Sequence, residues 1–191
     1  RDVMADAPDA LQVYAFFIHV PPIPAFPDAY HGKTALDLVV AYAGDPETGS
    51  DVLRPLRDVG DPVLDGVHPQ PYTALQRTFD AGVPKGHRWY SKAHYLDRLS
   101  DAAIDTVVER VDPLPGPFSM VYFEPLGGAI ADVDPAATAF QHRSAAYTFH
   151  ILTGWDDPGQ DDAIIYWTRA FHAAMTPHAT GGVYLNLLGA D

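Results

Sequence analysis

The sequence predicts an α+β domain, an antiparallel sheet of about six strands with helices packed on one of its faces. Short runs rich in β-branched and aromatic residues, the typical signal of a strand, are separated by prolines and glycines in this chain of 191 residues. The amphipathic segments between them carry one apolar stripe each, which would cover one side of a sheet. The strand–helix–strand alternation that is typical of a parallel sheet is seldom seen in this sequence, so antiparallel pairing is favoured.

The first two predicted strands form one unit. The strand at 11–20 (LQVYAFFIHV) stops at two prolines, and the strand at 35–42 (ALDLVVAY) stops at a Gly-Asp-Pro turn. The loop between them, 21–33, carries four prolines, and two strands joined in this way suggest an antiparallel pair with Tyr14 and His19 as candidate face residues. Further strands are predicted at 86–96, 118–123, 147–153 and 183–188.

Four helices are predicted between the strands. Ser100 is a good N-cap for a helix at 101–111, because its hydroxyl can accept a hydrogen bond from a first-turn amide. Asp157, directly before Pro158, marks the start of the longest helix, 157–175, whose apolar residues recur at helical spacing. The other two helices are predicted at 47–59 and 72–79.

The composition limits the classes of function. Hydrophobic residues make up 47% of the chain, which excludes a disordered protein, and the length fits one domain. Twenty-five acidic against 12 basic side chains give a net charge of −13. Such a surface repels nucleic acid and anionic membranes, because phosphate binding needs clustered Lys and Arg. Neither nucleic acid nor a membrane is therefore expected as a partner. The acidic charge is interpreted as that of a solvated surface, and recognition of a cationic partner is the alternative.

The absence of cysteine excludes disulfides, thiolate catalysis and cysteine-based metal sites. The nine histidines show no HExxH motif and no tight ligand spacing, so no metal site is predicted, and no P-loop, GxGxxG or GxSxG motif is present. No apolar run reaches about 18 residues, and the first residues lack the core of a signal peptide, which predicts a cytoplasmic protein. Because position 1 is not Met, the chain is expected to begin in mid-protein.

The most informative stretch is 124–155, EPLGGAIADVDPAATAFQHRSAAYTFHILTGW. A Gly-Gly turn leads to Asp132, an aromatic-His-Arg corner follows, and a strand then runs to Trp155. The sequence GVYLN at 182–186 closes this pattern. Two glycines between apolar runs allow a positive φ and a close approach of the backbone. The residues alone indicate a sheet with one polar, aromatic-lined face.

This succession of GGxIxD, FxHR, a strand ending in Trp, a long helix and GGVYLN resembles the substrate domain of berberine-bridge-enzyme-like oxidoreductases. These are FAD-linked enzymes of the vanillyl-alcohol-oxidase fold group, and the match is best over residues 75–186. The resemblance implies that one sheet face covers the isoalloxazine ring of FAD, with substrate between ring and sheet. The family holds FAD in a separate domain whose motifs are missing here. Residues 1–191 are therefore expected to be a single substrate domain of a longer oxidoreductase, with the FAD-binding domain of the same polypeptide as partner.

Six residues are candidates for the site under this resemblance. Asp132 and Tyr184 are the catalytic candidates, since a carboxylate or phenol beside a flavin could take a substrate proton as hydride leaves. The substrate-binding candidates are Thr148 and His150, which share a strand face, and Lys92. The cofactor-binding candidate is Asn186 at the flavin edge.

Each candidate has a structural alternative. Asp132 lies in a sequence typical of a turn, His150 could be a hydrogen-bonded structural histidine, and Tyr184 a half-buried strand aromatic. Lys92 could extend its ammonium group to solvent, and Asn186 could bind backbone. His142 and Arg143 are interpreted as structural, with Arg143 paired to a carboxylate.

The implied enzyme moves a hydride from an alcohol or amine carbon to FAD, with O2 as acceptor and a small molecule as substrate. The isolated chain is expected to bind FAD weakly and to be inactive, and its uncovered sheet face would support a homodimer. The alternative is a non-enzymatic, ferredoxin-like α+β domain that binds a small ligand or dimerises through its sheet.

Overall fold

The computed structural model describes residues 1–187 and contains one antiparallel sheet of five strands. The strands are β1 (Leu11–His19), β2 (Thr34–Tyr42), β3 (Arg88–Leu96), β4 (Met120–Pro125) and β5 (Tyr147–Trp155). Their order across the sheet is β2-β1-β4-β5-β3, and every neighbouring pair is antiparallel. The predicted α+β class is confirmed, with five strands where about six were expected.

The α-helices within residues 1–187 are α1 (Asp2–Ala5), α2 (Pro46–Arg57), α3 (Tyr72–Leu75), α4 (Asp101–Val108) and α5 (Asp161–Met175). Side-chain caps begin two of these five helices, α2 at Asp45 and α4 at Ser100. The Ser100 hydroxyl accepts a hydrogen bond from the Ala103 amide at the start of α4. Asp157 caps a 3-10 turn, Pro158–Gln160, and α5 follows directly, four residues later than the predicted start of 157.

The helices α4 and α5 pack on one face of the sheet and form the main core with it. Phe149 and Ile151 of β5 are fully buried there, against Phe171 and Met175 of α5. The Phe149 ring centroid lies 5.0 Å from that of Phe123 and 5.7 Å from that of Phe171. Each such side chain contributes about 1.5–3 kcal/mol when it is removed from water. This packing fixes the sheet as a rigid plane, and alternate residues of β5 project from its other face.

The predicted strand at 183–188 is wrong over the described residues 183–187, and Leu188 lies outside them. Backbone hydrogen bonds join the residues just before this segment to β3: the Thr180 N–H donates to Tyr95 O, and the Gly182 carbonyl accepts from Tyr95 N–H. Gly181 has a φ of +91°, and Leu185–Leu187 then close a 3-10 turn. The alternating sequence predicted an extended chain, but the positive φ and the turn bend it out of that conformation.

Two histidines stack between the sheet and α5. The rings of His94 and His172 lie with centroids 3.8 Å apart, and His94 Nε2 is 2.9 Å from the carbonyl oxygen of His172. Burial lowers the pKa of His94. Burial, and next the charge of His94, lowers the pKa of His172 to about 4. Both rings are therefore held in their neutral form at neutral pH.

The stability of the chain is expected to fall as the pH is lowered from about 6.5 towards 4. Unfolded histidines take up protons near pH 6.5, before the folded pair does, so protons favour the unfolded state in this window and full stability is present above it. Because His172 is partly exposed, we expect a contribution of about 1 kcal/mol. Thermal unfolding midpoints over this range should show a weaker pH dependence in His172→Gln than in wild type. The exposed His68→Gln is the matched control, and equal slopes in all three proteins would contradict the prediction.

Candidate functional site

The sheet face opposite α4 and α5, called the open face below, presents its side chains in rows across the strands. The first row is polar and consists of Tyr14, Glu124, Thr148 and Tyr95. The second row is aromatic over three of its members and consists of Phe16, Tyr122, His150 and Ala93. Phe79, which follows α3, lies beside both rows, with its ring centroid 5.3 Å from that of Phe16 and 6.5 Å from that of Tyr14.

Glu124 is the centre of the polar row. The Tyr14 hydroxyl donates to Glu124 Oε1 at 2.7 Å, and the Thr148 hydroxyl donates to Oε2 at 3.2 Å. His150 Nε2 lies 3.5 Å from the same Oε2 and 2.6 Å from Thr148 Oγ1. The carboxylate side chain is 30% exposed, whereas His150 is 2% exposed. A molecule on the open face can therefore reach Glu124, while Thr148 and His150 lie beneath the surface.

The hydrogen bonds decide the charge of Glu124. Burial alone would raise its pKa, but the donors from His150, Tyr14 and Thr148 together lower the pKa below its usual value. Burial, with the hydrogen bond to Glu124, raises the pKa of Tyr14, which stays a neutral donor. The site therefore presents a single carboxylate, ionised at neutral pH and held at both oxygens.

The aromatic row fixes the plane of the histidine ring. Phe16 stacks on Tyr122 with centroids 4.5 Å apart, and Tyr122 stacks on His150 at 4.4 Å. Burial, and next the charge of Glu124, raises the pKa of Tyr122 to about 12. The Nδ1 atom of His150 is buried and has no hydrogen-bond partner within residues 1–187.

Tyr95 links the polar row to the chain that follows α5. It lies opposite Thr148, is 1% exposed, and stacks on His142 with centroids 4.4 Å apart. The Gly182 backbone lies close to the same ring, and a Cβ atom added there would make the His142 ring move. Burial, followed by the charges of Tyr184 and Glu124, raises the pKa of Tyr95. Phe140 connects Tyr95 to Tyr184, with its ring centroid 6.3 Å from that of Tyr95 and 6.1 Å from that of Tyr184.

The structure brings together two of the six candidate residues in one hydrogen-bonded group. These are Thr148 and His150. Tyr184 and Asn186 form a second pair, since the Asn186 amide donates to the Tyr184 hydroxyl at 2.9 Å, and Tyr184 packs edge-on against Phe140.

The other two candidates lie apart from these pairs. Asp132 is exposed on a turn, where its amide donates to the Gly128 carbonyl. Lys92 lies opposite Ile151 in the register and so projects from the helix-covered face, with its Nζ 5.6 Å from the centre of the Tyr90 ring. Alternation along β3 therefore separates Lys92 from the pair at 148 and 150.

Sequence reasoning missed Glu124 and the aromatic Tyr122 as site residues, and took Tyr14 only as a face residue. A usable signal was present: Glu124 is the one charged residue in the β4 sequence MVYFEP, two positions from Tyr122 and hence on the same face. The polar pair on β5 then provides partners for it, because β4 and β5 are neighbours in the sheet.

The His-Arg corner is structural in the described residues, with one difference from the prediction. Arg143 was expected to pair with a carboxylate. Its guanidinium instead donates to the Ile130 carbonyl at 2.9 Å and to the Thr138 hydroxyl at 2.7 Å, and lies over the Phe140 ring. Both oxygens belong to the loop between β4 and β5, so Arg143 connects two parts of this loop.

The donor set of the open face suits the ring of a flavin and a substrate, and not the phosphates of FAD. Phosphates need Lys, Arg or backbone amides at a helix N-terminus. No strand residue that projects from the open face is Lys or Arg. Within residues 1–187 no group of three or more metal-ligating side chains is found, and no helix there is long and apolar enough to cross a bilayer. Two surface grooves of about 530 and 540 Å³ do not include Glu124, Thr148 or His150 in their walls.

Comparison of the sequence with known proteins finds FAD-linked oxidoreductases. The chain is 27% identical over 147 residues to the FAD-linked oxidoreductase YgaK of Bacillus subtilis, which covers 76% of this chain and 32% of that protein. It is 34% identical over 106 residues to berberine bridge enzyme-like 1 of Arabidopsis thaliana, covering 52% of this chain and 19% of that protein. No family model matches the sequence.

Comparison of the structure finds the same group of proteins. BBE-like #28 of Arabidopsis thaliana superimposes with a TM-score of 0.71 at 17% identity, over 95% of this chain and 40% of that one. Berberine bridge enzyme of Eschscholzia californica gives a TM-score of 0.70 at 14% identity, over 98% and 38%. The glycopeptide hexose oxidase DBV29, in a complex with teicoplanin, gives 0.60 at 26% identity, over 90% and 34%.

These matches confirm the resemblance seen in the sequence. The homologues of the chain are FAD-linked oxidoreductases and berberine-bridge-enzyme-like proteins, and its fold is that of berberine-bridge-enzyme-like enzymes. The chain spans about a third of the length of the curated relatives YgaK and the Dictyostelium discoideum FAD-linked oxidoreductase.

Proposed function

We propose that this chain is the substrate-facing domain of an FAD-dependent oxidoreductase that moves a hydride from an alcohol or amine carbon to FAD, with O2 as electron acceptor. The observation that carries the proposal is the state of Glu124. It is an ionised, partly exposed carboxylate on a rigid sheet face, held at both oxygens by neutral donors. The homologues of the chain include proteins named FAD-linked oxidoreductases, and FAD is the hydride acceptor when it is bound.

In this proposal Glu124 accepts the proton of the substrate O–H or N–H group. A general base must be deprotonated at working pH and within hydrogen-bond reach of that proton, and an exposed carboxylate on the open face meets both conditions. Tyr14 and Thr148 hold the carboxylate, and Tyr122, the partly exposed member of the aromatic row, lies beside the substrate. A sheet supported by a packed core keeps these groups in place.

Three of the remaining predicted residues have places in the same proposal. Tyr184 orients the substrate and Asn186 reaches the flavin edge, since both lie near the polar row through Phe140 and Tyr95. Asp132 stays a prediction as an alternative proton acceptor. Lys92 is given no part in this proposal, because it projects from the other face.

The FAD-binding region is proposed to belong to the same polypeptide, because relatives more than twice as long match this chain over a third of their length. The 191-residue chain alone would then bind FAD weakly, because no strand residue on its open face is a Lys or Arg that could hold the phosphates. A second copy of the chain could cover the uncovered face.

The proposal is tested by the visible absorption spectrum of protein expressed from the full-length gene, before and after acid precipitation. We expect the band of an oxidised flavin in the full-length protein, its loss of colour when a suitable alcohol or amine is added without O2, and no band in the 191-residue chain. Colour that stays with the acid pellet would show covalent attachment. A colourless full-length protein would overturn the proposal and favour the small-ligand-binding α+β domain.

A further inference from the structure

We infer that His150 and Thr148 are positioning residues for Glu124: a directed chain of hydrogen bonds from His150 Nε2, through the Thr148 hydroxyl, to Glu124 Oε2 keeps this carboxylate ionised and in one orientation. Its meaning for catalysis rests on the proposed function. The hydrogen bonds themselves belong to the described chain and do not depend on a flavin.

The direction of the chain follows from the donors that are present. An ionised carboxylate only accepts hydrogen bonds, so the Thr148 hydroxyl, 3.2 Å from Oε2, gives its single proton to Glu124. Its oxygen must then accept from the other neighbour, His150 Nε2, at 2.6 Å. Nε2 therefore carries a hydrogen, and the same nitrogen faces Oε2 at 3.5 Å.

Burial holds the His150 ring in one orientation. The residue is 2% exposed, and its Nδ1 atom is buried with no hydrogen-bond partner among the described residues. The Tyr122 ring stacks on the imidazole with centroids 4.4 Å apart and fixes its plane. Nε2 is therefore kept facing Thr148, which makes His150 a fixed donor.

The neighbours of Glu124 leave few other groups that could set its ionisation. Tyr14 from β1 donates to Oε1, Tyr122 lies on the same strand, and Tyr95 from β3 lies beyond Thr148. All three are phenols with a raised pKa, and so are neutral. No Lys or Arg projects from these strands on the open face. The donors from β5 and β1 are thus the available means of stabilising the charge of a partly buried carboxylate.

The inference is tested by titration of Glu124 itself, by carboxyl 13C NMR of the chain labelled in glutamate. The sequence has three glutamates, and the exposed Glu47 and Glu109 are internal references in the same spectra. His150→Leu and Thr148→Val remove one link each. We expect each to move the Glu124 midpoint upward by about one pH unit, a tenfold change in proton affinity, with the midpoints of the references unchanged.

Conservative variants separate positioning from packing. His150→Gln keeps an N–H donor that can reach Thr148, and Thr148→Ser keeps the hydroxyl, so both should hold the midpoint near that of wild type. His178→Gln is the matched control, because His178 Nε2 lies 3.4 Å from Thr106 Oγ1 on the helix side of the sheet. Amide spectra confirm that each variant is folded. An unmoved midpoint in His150→Leu and Thr148→Val, or an equal shift in the Leu and Gln variants, would overturn the inference.

The same variants in the FAD-loaded full-length protein connect the hydrogen bonds to the reaction. The base must be deprotonated, so the acidic limb of the rate of flavin reduction should move to higher pH in Thr148→Val and return in Thr148→Ser. A colourless protein with a shifted Glu124 midpoint would overturn the proposed function and leave the hydrogen-bond chain standing. A flavoprotein whose Glu124 midpoint does not respond would overturn the hydrogen-bond chain alone.

Discussion

Replacing Glu124 by glutamine is expected to slow the reduction of the bound flavin by substrate about 10²–10⁴-fold, the usual contribution of a general base. Glutamine keeps the size of the side chain and one carbonyl oxygen for Tyr14 or Thr148, so the sheet should stay folded. It removes the negative charge and the lone pairs that take the proton. The limiting rate should therefore fall while substrate affinity changes little.

The measurement is anaerobic stopped-flow absorbance of the full-length protein, with the alcohol or amine that reduces the wild-type flavin fastest in a panel. Glu109→Gln is the matched control, since Glu109 is exposed at the end of α4 on the other side of the sheet. A change of less than twofold in Glu124→Gln would remove Glu124 from the reaction. If Asp132→Asn instead caused the large loss, the proton acceptor would be the carboxylate on the turn.

Replacing Phe149 by alanine is expected to lower the free energy of unfolding by about 3–5 kcal/mol. The side chain is fully buried at the centre of the core, between Phe123 of the sheet and Phe171 of α5. Truncation loses the transfer free energy of the ring and leaves a cavity that strand and helix cannot fill. This is a large share of the roughly 5–15 kcal/mol that stabilises a typical domain.

Urea unfolding of the 191-residue chain, followed by circular dichroism, measures this loss as a lower midpoint at constant slope. Phe79→Ala serves as the control, because Phe79 is 39% exposed and a loss of about 1 kcal/mol is expected there. If both variants lost equal free energy, the packing of α5 on β5 would not be the main source of stability.

The limits of a strand are predicted well where a run of strand-forming residues is bounded by turn residues. β1, β2 and β3 lie within two residues of their predicted limits, because β-branched and aromatic runs end at prolines, glycines or a polar turn. The segment after Gly182 shows the limit of this reasoning. Its alternation is that of a strand, but extended conformation also depends on φ at Gly181 and on the packing of Tyr184 against Phe140.

Contacts between residues of the candidate site were predictable only where both residues lie on one strand. Two-residue spacing places Thr148 and His150 on one face, and the structure shows them hydrogen-bonded. Glu124 and Tyr14 come from other strands, and their distance from β5 is set by register, which one sequence does not specify. Lys92 shows the same limit, since alternation defines two faces of β3 but not which one the helices cover.

Adjacent residues of β5 belong to two different layers of the molecule. Phe149 and Ile151 belong to the core, whereas Thr148 and His150 belong to the open face. Inserting or deleting one residue in β5 would exchange the two faces of the strand. Thr148 and His150 would then point into the core, and Phe149 and Ile151 would point toward Glu124. Stability and the site would then be lost in a single step. Changes in chain length that leave both intact are confined to the loops, such as the long connection between β4 and β5.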